Sequence, residues 1–170
     1  MTHFSGLSSS SGLSDVLRLF PRNSDQILRL LDGIMCSDGV LSRGEREAIA
    51  AFVSEQNTTS YCVLYHTVFS EVFSGSIEAT NARIQPLLEY ARCLHSRNRD
   101  RIAEAFETVL GSGWTEEAAY EVVEVCGIFD LINTVVLASG IATPKAPLEP
   151  YPTLDGLQNL YTDMADTVSS

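Results

Sequence analysis

The chain has 170 residues, 45% of them hydrophobic, which is enough for one domain with a substantial core. Its formal net charge of −11 argues against nucleic acid as a partner, because a polyanion would repel the chain. No leader and no apolar run of membrane-spanning length is recognisable, and the four cysteines have no regular spacing. We therefore expect a cytoplasmic protein with reduced thiols and no membrane contact.

The predicted elements are all helices, since no segment shows sustained apolar–polar alternation or a hairpin signal. We divide the chain into a flexible Ser/Gly-rich segment at 1–21, a helical domain at 22–142, and a Pro-rich linker with one short helix at 143–170. That last helix can dock on its own domain or on a neighbouring subunit. Within the domain, helices are predicted from Ser24 through Met35, from a capping box at Ser42 to about Gln56, through Cys62 to about Ser74, from Ile77 to Leu94 with a kink at Pro86, from Asp100 to Leu110, and from Thr115 to Ser139.

The strongest chemical signal lies in the third of these helices. Cys62 and His66 are four residues apart, so their side chains share one helical face. Polar capping residues precede Cys62, which places the thiol in the first turn, where the helix dipole favours a thiolate. His66 can then exchange the proton, and a carboxylate such as Glu47 can orient the imidazole ring.

On spacing alone, the more ordinary interpretation is a buried cysteine beside a hydrogen-bonded core histidine, because Tyr65 and Phe69 share their face. Glu47 lies opposite the apolar arc of its own helix, which is typical of a solvated carboxylate. Its neighbours on that side are small and uncharged, namely Ala50, Ala51 and Ser54. That side is therefore expected to be covered, either by another subunit or by the Cys62 helix.

These residues resemble the signature of the AhpD-like, carboxymuconolactone decarboxylase superfamily, and specifically its peroxidase-related branch. In that family a Glu lies fifteen residues before the second cysteine of a Cys-x-x-Cys pair and a His follows four residues after it, as Glu47, Cys62 and His66 do here. Thr59 stands where the first cysteine belongs. The similarity covers about residues 22–141 and implies an all-α domain of antiparallel helix pairs that forms a homo-oligomer.

A second part of the pattern lies in the last long helix. Phe129-Asp130-Leu131-Ile132-Asn133 is similar to the branch's second-half motif, but Thr134 stands where an Arg usually follows. The candidate substrate-pocket residues are Thr59, Tyr61, Tyr65, Phe69 and Asn133.

The resemblance implies a peroxidase-related oxidoreductase with Cys62 as reactive thiolate, His66 as acid/base partner and Glu47 as orienting carboxylate. A dithiol reduces a peroxide and then closes a disulfide, whereas one sulfur completes only the first step. Unless another cysteine folds close to Cys62, an external thiol reductant is expected. Structural burial is the expected role of the other three, Cys36, Cys93 and Cys126.

Two other functions stay open. A non-redox lyase or isomerase, like carboxymuconolactone decarboxylase, would use Glu47 and His66 for proton transfer while Cys62 lines the pocket. A non-catalytic family member would act in binding or assembly. Either enzyme takes a small-molecule substrate. No cofactor and no metal are expected, because the three histidines are scattered and no cysteine pair has ligand spacing.

Overall fold

The computed structural model describes residues 2–168, which form ten helices and no strand. The predicted all-α architecture is confirmed. In chain order the helices are α1 (Leu13–Leu19), α2 (Ser24–Cys36), α3 (Arg43–Gln56), α4 (Ser60–Ser74), α5 (Ile77–Arg83), α6 (Gln85–Ser96), α7 (Arg99–Gly111), α8 (Glu116–Ser139), α9 (Leu154–Gln158) and α10 (Leu160–Val168).

The centre of the fold is an antiparallel hairpin made by α3 and α4. On the inner side of this hairpin, α3 also packs against α8 and α6. Gly44 brings the two helices of the hairpin close together, since a Cβ at this position would overlap the side chain of Ser74. Ser70 Oγ donates to the Gly44 carbonyl at 2.8 Å and fixes the register of the pair.

A capping box begins α3, as the sequence predicts: the Ser42 side chain accepts from the Glu45 amide, and the Glu45 carboxylate accepts from the Ser42 amide at 2.7 Å. The helix ends in a Schellman arrangement, with Thr58 N–H bonded to the Glu55 carbonyl and Thr59 N–H to the Ser54 carbonyl. Thr58 sits at the left-handed position with φ 54°. A β-branched residue is strained there, where Gly is usual. This tight turn directs α4 back along α3.

The helix predicted from Ile77 to Leu94 is two helices. The structure ends α5 at Arg83 and begins α6 at Gln85, with Pro86 at the second position of α6. Proline lacks an N–H and fits the first turn of a helix, whereas an interior position would lose a hydrogen bond. The predicted kink at Pro86 is therefore a break.

Both ends of the chain contain more helix than expected. Within the segment 1–21, predicted to be flexible, α1 buries Val16 and Leu17, each 3% exposed. The single short helix predicted after the linker is two, α9 and α10, and α10 packs on α2 of the same chain. Residues 1, 169 and 170 of the predicted segments lie outside the described residues. The division of the chain at residues 21 and 142 stays a prediction.

Helix α8 is the one helix within residues 2–168 that is long and apolar enough to cross a bilayer, with 24 residues and an 18-residue stretch of mean hydropathy 1.8. It packs on α2, α3, α6 and α7. Val122, Val125 and Phe129 are completely buried in this packing. The apolar composition of α8 thus matches its central position in the bundle.

Candidate active site

The α3–α4 hairpin turns Glu47 and His66 towards each other. Glu47 is 0% exposed and His66 is 6% exposed. The Nδ1–H of His66 donates to Glu47 Oε2 at 2.6 Å, the short distance expected when the acceptor is charged. This bond leaves Nε2 as the ring nitrogen that can take up or release a proton. The interpretation of Glu47 as a solvated carboxylate is wrong, because α4 and α10 of the same chain cover it.

Tyr161, from α10, gives Glu47 a second hydrogen-bond donor. Its hydroxyl donates to Glu47 Oε1 at 3.3 Å. Tyr161 is 3% exposed, and burial raises its pKa well above the usual value, with the Glu47 charge adding to the effect. The hydroxyl therefore stays protonated and remains a donor across the physiological range.

Arg43 ties the C-terminal helices to the site. Its guanidinium donates to the carbonyls of Leu157 at 2.7 Å and Gln158 at 3.0 Å, and its Nε lies 3.7 Å from Glu47 Oε1. The same guanidinium lies 4.5 Å above the ring of Phe73. These contacts hold the Arg43 charge and helix α9 on the same side of the Glu47 carboxylate.

Cys62 lies in the first turn of α4 but is only 2% exposed. Burial raises the pKa of its thiol from 9.0 to about 12. This direction is opposite to the one expected from the helix dipole, because burial disfavours the charged thiolate. At neutral pH the thiol is protonated, so its reaction requires a base.

Cys62 and His66 line one cavity of about 180 Å³. The rest of its surface is mainly apolar and aromatic, and includes Tyr61, Tyr65, Phe69, Phe129, Leu160 and Met164. The His66 ring meets Phe129 edge-on, with centroids 4.5 Å apart. An uncharged, mostly apolar molecule fits this lining.

Three of the five predicted pocket residues line this cavity, namely Tyr61, Tyr65 and Phe69. Two do not. Thr59 is 2% exposed at the N-cap of α4, where its hydroxyl donates to the Asn57 carbonyl. Asn133 lines a different cavity and accepts a hydrogen bond from Ser54 Oγ at 3.1 Å.

All four cysteines are free, and Cys62 is the only one on the cavity wall in the described part of the chain. Cys93 is buried as expected, but Cys36 and Cys126 are only half-buried, so full structural burial is wrong for these two. Burial still raises the pKa of both thiols to about 12. Among residues 2–168, no group of three His, Cys, Asp or Glu side chains could hold a metal ion.

The sequence analysis did not predict a place in the site for Arg43 or for the three α10 residues on the cavity wall, which are Leu160, Tyr161 and Met164. The amphipathic pattern of the tail, which includes Leu157, Leu160 and Tyr161, indicated a helix with one buried face. It carried no signal that this face would meet Glu47, which lies 114 residues before Tyr161.

No protein-family model and no curated protein matches the sequence. Several solved structures match the fold. A crystal structure of an uncharacterized peroxidase-related protein from Silicibacter sp. TM1040 has a TM-score of 0.67 and 20% identity, covering 82% of this chain and 77% of that one.

Another of these structures has an AhpD core. It is an alkylhydroperoxidase AhpD core, an uncharacterized peroxidase-related protein from Ralstonia eutropha JMP134, with a TM-score of 0.67 and 19% identity. The match covers 85% of this chain and 93% of that one. The AhpD-like fold expected from the sequence is confirmed, and at these identities the chemistry has to be argued from the residues of the site.

Proposed function

We propose that this protein is a peroxidase-related oxidoreductase that reduces a small apolar hydroperoxide at Cys62, with His66 and Glu47 as its proton-transfer pair. The observation that carries the proposal is the buried 2.6 Å hydrogen bond between His66 and Glu47 on the wall of an apolar cavity that also holds Cys62. A base held in one orientation by a carboxylate is what a protonated thiol needs before it can react.

The first step is proton transfer from the Cys62 thiol to Nε2 of His66. The imidazolium that forms is stabilised by Glu47, whose carboxylate is already in contact with Nδ1. The thiolate then attacks the terminal oxygen of the hydroperoxide and the O–O bond breaks. Sulfur is oxidised to a sulfenic acid, the peroxide is reduced, and the leaving alkoxide takes the proton from His66 to become the alcohol.

Resetting the sulfur requires thiols from outside the cavity. One external thiol condenses with the Cys62 sulfenic acid to give a mixed disulfide and water, and a second displaces Cys62 as a thiol. This part of the proposal follows from Cys62 being the only cysteine that lines the cavity among the described residues. The homo-oligomer and the cytoplasmic location stay predictions.

The test is a single addition of cumene hydroperoxide followed by intact mass measurement. We expect a gain of one oxygen atom, trapped by a sulfenic-acid reagent and mapped to Cys62, together with consumption of the peroxide. Cys62→Ser should abolish both. Cys126→Ser is the matched control, because burial raises the pKa of that thiol to the same value, about 12, away from His66. Oxidation that persists in Cys62→Ser would contradict the proposal.

Acid/base chemistry without redox is the second candidate. It is favoured by one observation: burial keeps the Cys62 thiol protonated at neutral pH, while the His66–Glu47 pair is complete without the sulfur. In that case His66 would transfer a proton on a lactone or keto-acid substrate. Activity on such a substrate that survives Cys62→Ser and is lost in His66→Asn would establish this alternative.

A further inference from the structure

We propose that a second cavity, on a different face of α8, binds a small carboxylate that carries an apolar body. This polar cavity has a volume of about 360 Å³ and is lined mainly by Asn57, His95, Arg97, Asp130, Asn133 and Thr134. It shares no lining residue with the cavity that holds Cys62. This proposal and the proposed function can therefore be tested independently of each other.

The first observation is a buried donor in the polar cavity without a partner. Asn133 is 1% exposed, and its Oδ1 accepts from Ser54 Oγ at 3.1 Å. Its Nδ2 is buried and has no hydrogen-bond partner among the described residues. A buried N–H left unpaired costs free energy, and such groups are rare in folded proteins. An acceptor oxygen on a bound molecule would satisfy it.

The polar cavity has more free hydrogen-bond donors than free acceptors. Asp130 is its one carboxylate, and both oxygens are engaged: Oδ1 accepts from Asn57 at 3.0 Å and Oδ2 from Arg97 at 3.1 Å. The guanidinium has further N–H groups beyond this bond. Together with His95 and Asn133, it forms a set of nitrogen donors that favours an oxygen anion as ligand.

The surroundings of Arg97 also favour an anion. Four of the eleven Lys and Arg residues of this acidic chain lie within ten positions, at Arg92, Arg97, Arg99 and Arg101; Arg92 and Arg101 both pair with Glu89. Helix α7 begins at Arg99, directly after this turn, and its positive end adds to the local field. Arg97 itself has φ 57°, the left-handed conformation that glycine adopts more easily at a helix end. The Arg97 side chain is 79% exposed, so its free N–H groups are open to a ligand.

A neighbouring cavity indicates that the rest of the ligand is apolar. It also has a volume of about 360 Å³ and shares His95, Arg97 and Asp130 with the polar cavity. Its other walls are largely apolar and include Leu94, Ile102 and Val123. A ligand with its carboxylate at Arg97 could therefore extend a short hydrocarbon chain along these side chains.

The experiment is a titration of the isotope-labelled protein with hexanoate, hexanamide and hexylamine, followed by NMR. These probes share the chain and differ in the headgroup. We expect saturable shifts with hexanoate, with a dissociation constant of about 1 mM or below, that include the side-chain amide of Asn133 and the Nε–H of Arg97. Hexanamide should bind at least about fivefold more weakly, and hexylamine should not bind there. Absence of saturable shifts up to about 20 mM hexanoate would overturn the proposal.

Two variants separate a specific site from general attraction to a basic segment. Arg97→Gln should weaken hexanoate binding about tenfold, because it removes the guanidinium in the cavity. Arg99→Gln removes the same charge two residues away, outside both cavities, and should leave the affinity within about twofold. Equal binding by Arg97→Gln and the parent protein, or equal loss in both variants, would refute the site. Circular dichroism confirms that both variants fold.

Discussion

Helix α4 and the C-terminal helix α10 both contact Glu47, but from very different distances along the chain. His66 contacts this carboxylate from 19 residues away within the hairpin, whereas Tyr161 contacts it from 114 residues away. The hairpin contact follows from helix spacing and one tight turn. The tail contact depends on how the whole fold closes.

The two regions also differ in what they contribute. In the proposed reaction the hairpin holds the proton-transfer pair and the reacting sulfur, whereas the tail supplies a neutral donor to Glu47 and part of the apolar wall. Changes in the hairpin should therefore affect the chemical step strongly. Changes in the tail should affect it only through the position and environment of Glu47.

The largest expected effect among these changes comes from Glu47→Gln, which keeps the size of the side chain and removes its charge. The imidazolium form of His66 loses its counter-charge, so the rate of Cys62 oxidation by hydroperoxide should fall about a hundredfold. Stopped-flow peroxide consumption measures this rate. Glu55→Gln is the matched control, since Glu55 is an exposed carboxylate on the same helix. A rate in Glu47→Gln equal to that of the parent would mean that the carboxylate takes no part.

Tyr161→Phe tests the tail with a smaller change. Loss of the hydroxyl removes one of the two donors to Glu47, so the oxidation rate should fall about fivefold and the unfolding free energy by about 1 kcal/mol. The first is measured by stopped flow and the second by urea denaturation. Tyr151→Phe, which alters an exposed tyrosine of the same tail, should change neither. An effect as large as that of Glu47→Gln would show that the tail contributes to the chemistry directly.

The smallest effect is expected at the turn that joins the hairpin. Thr58→Gly relieves a left-handed, β-branched residue and should raise the unfolding free energy by about 1 kcal/mol, with the oxidation rate unchanged. Thr58→Ala keeps a Cβ in the same conformation and should give little of this gain. Urea denaturation of the three proteins decides the matter, and a destabilised Thr58→Gly would show that the turn carries no relievable strain.

The sequence predicted the hairpin and the grouping of its site residues well because both depend on local rules. The capping box at Ser42 begins α3, and the four-residue spacing places Cys62 and His66 on one wall of the cavity. The Glu47 contact follows once α4 runs back along α3. Small residues on the Glu47 side correctly indicated that it would be covered.

The remaining features depend on burial and on contacts distant in sequence. Helix position alone favoured a thiolate at Cys62, but burial raises its pKa to about 12, and spacing does not report burial. The role of Tyr161 required the docking of α10. Asn133 lies only one residue from Ile132, which does line the cavity, so a turn of about 100° along α8 places it elsewhere.

The most direct test of the account is the pH dependence of Cys62 oxidation in the parent protein and in His66→Asn. Because burial raises the pKa of Cys62 to about 12, the thiolate fraction without an internal base grows about tenfold per pH unit below that value. We predict that His66→Asn shows this steep rise and is about a hundredfold slower than the parent at pH ~7. Equal rates and equal pH profiles in the two proteins would contradict the claim that His66 is the base for Cys62.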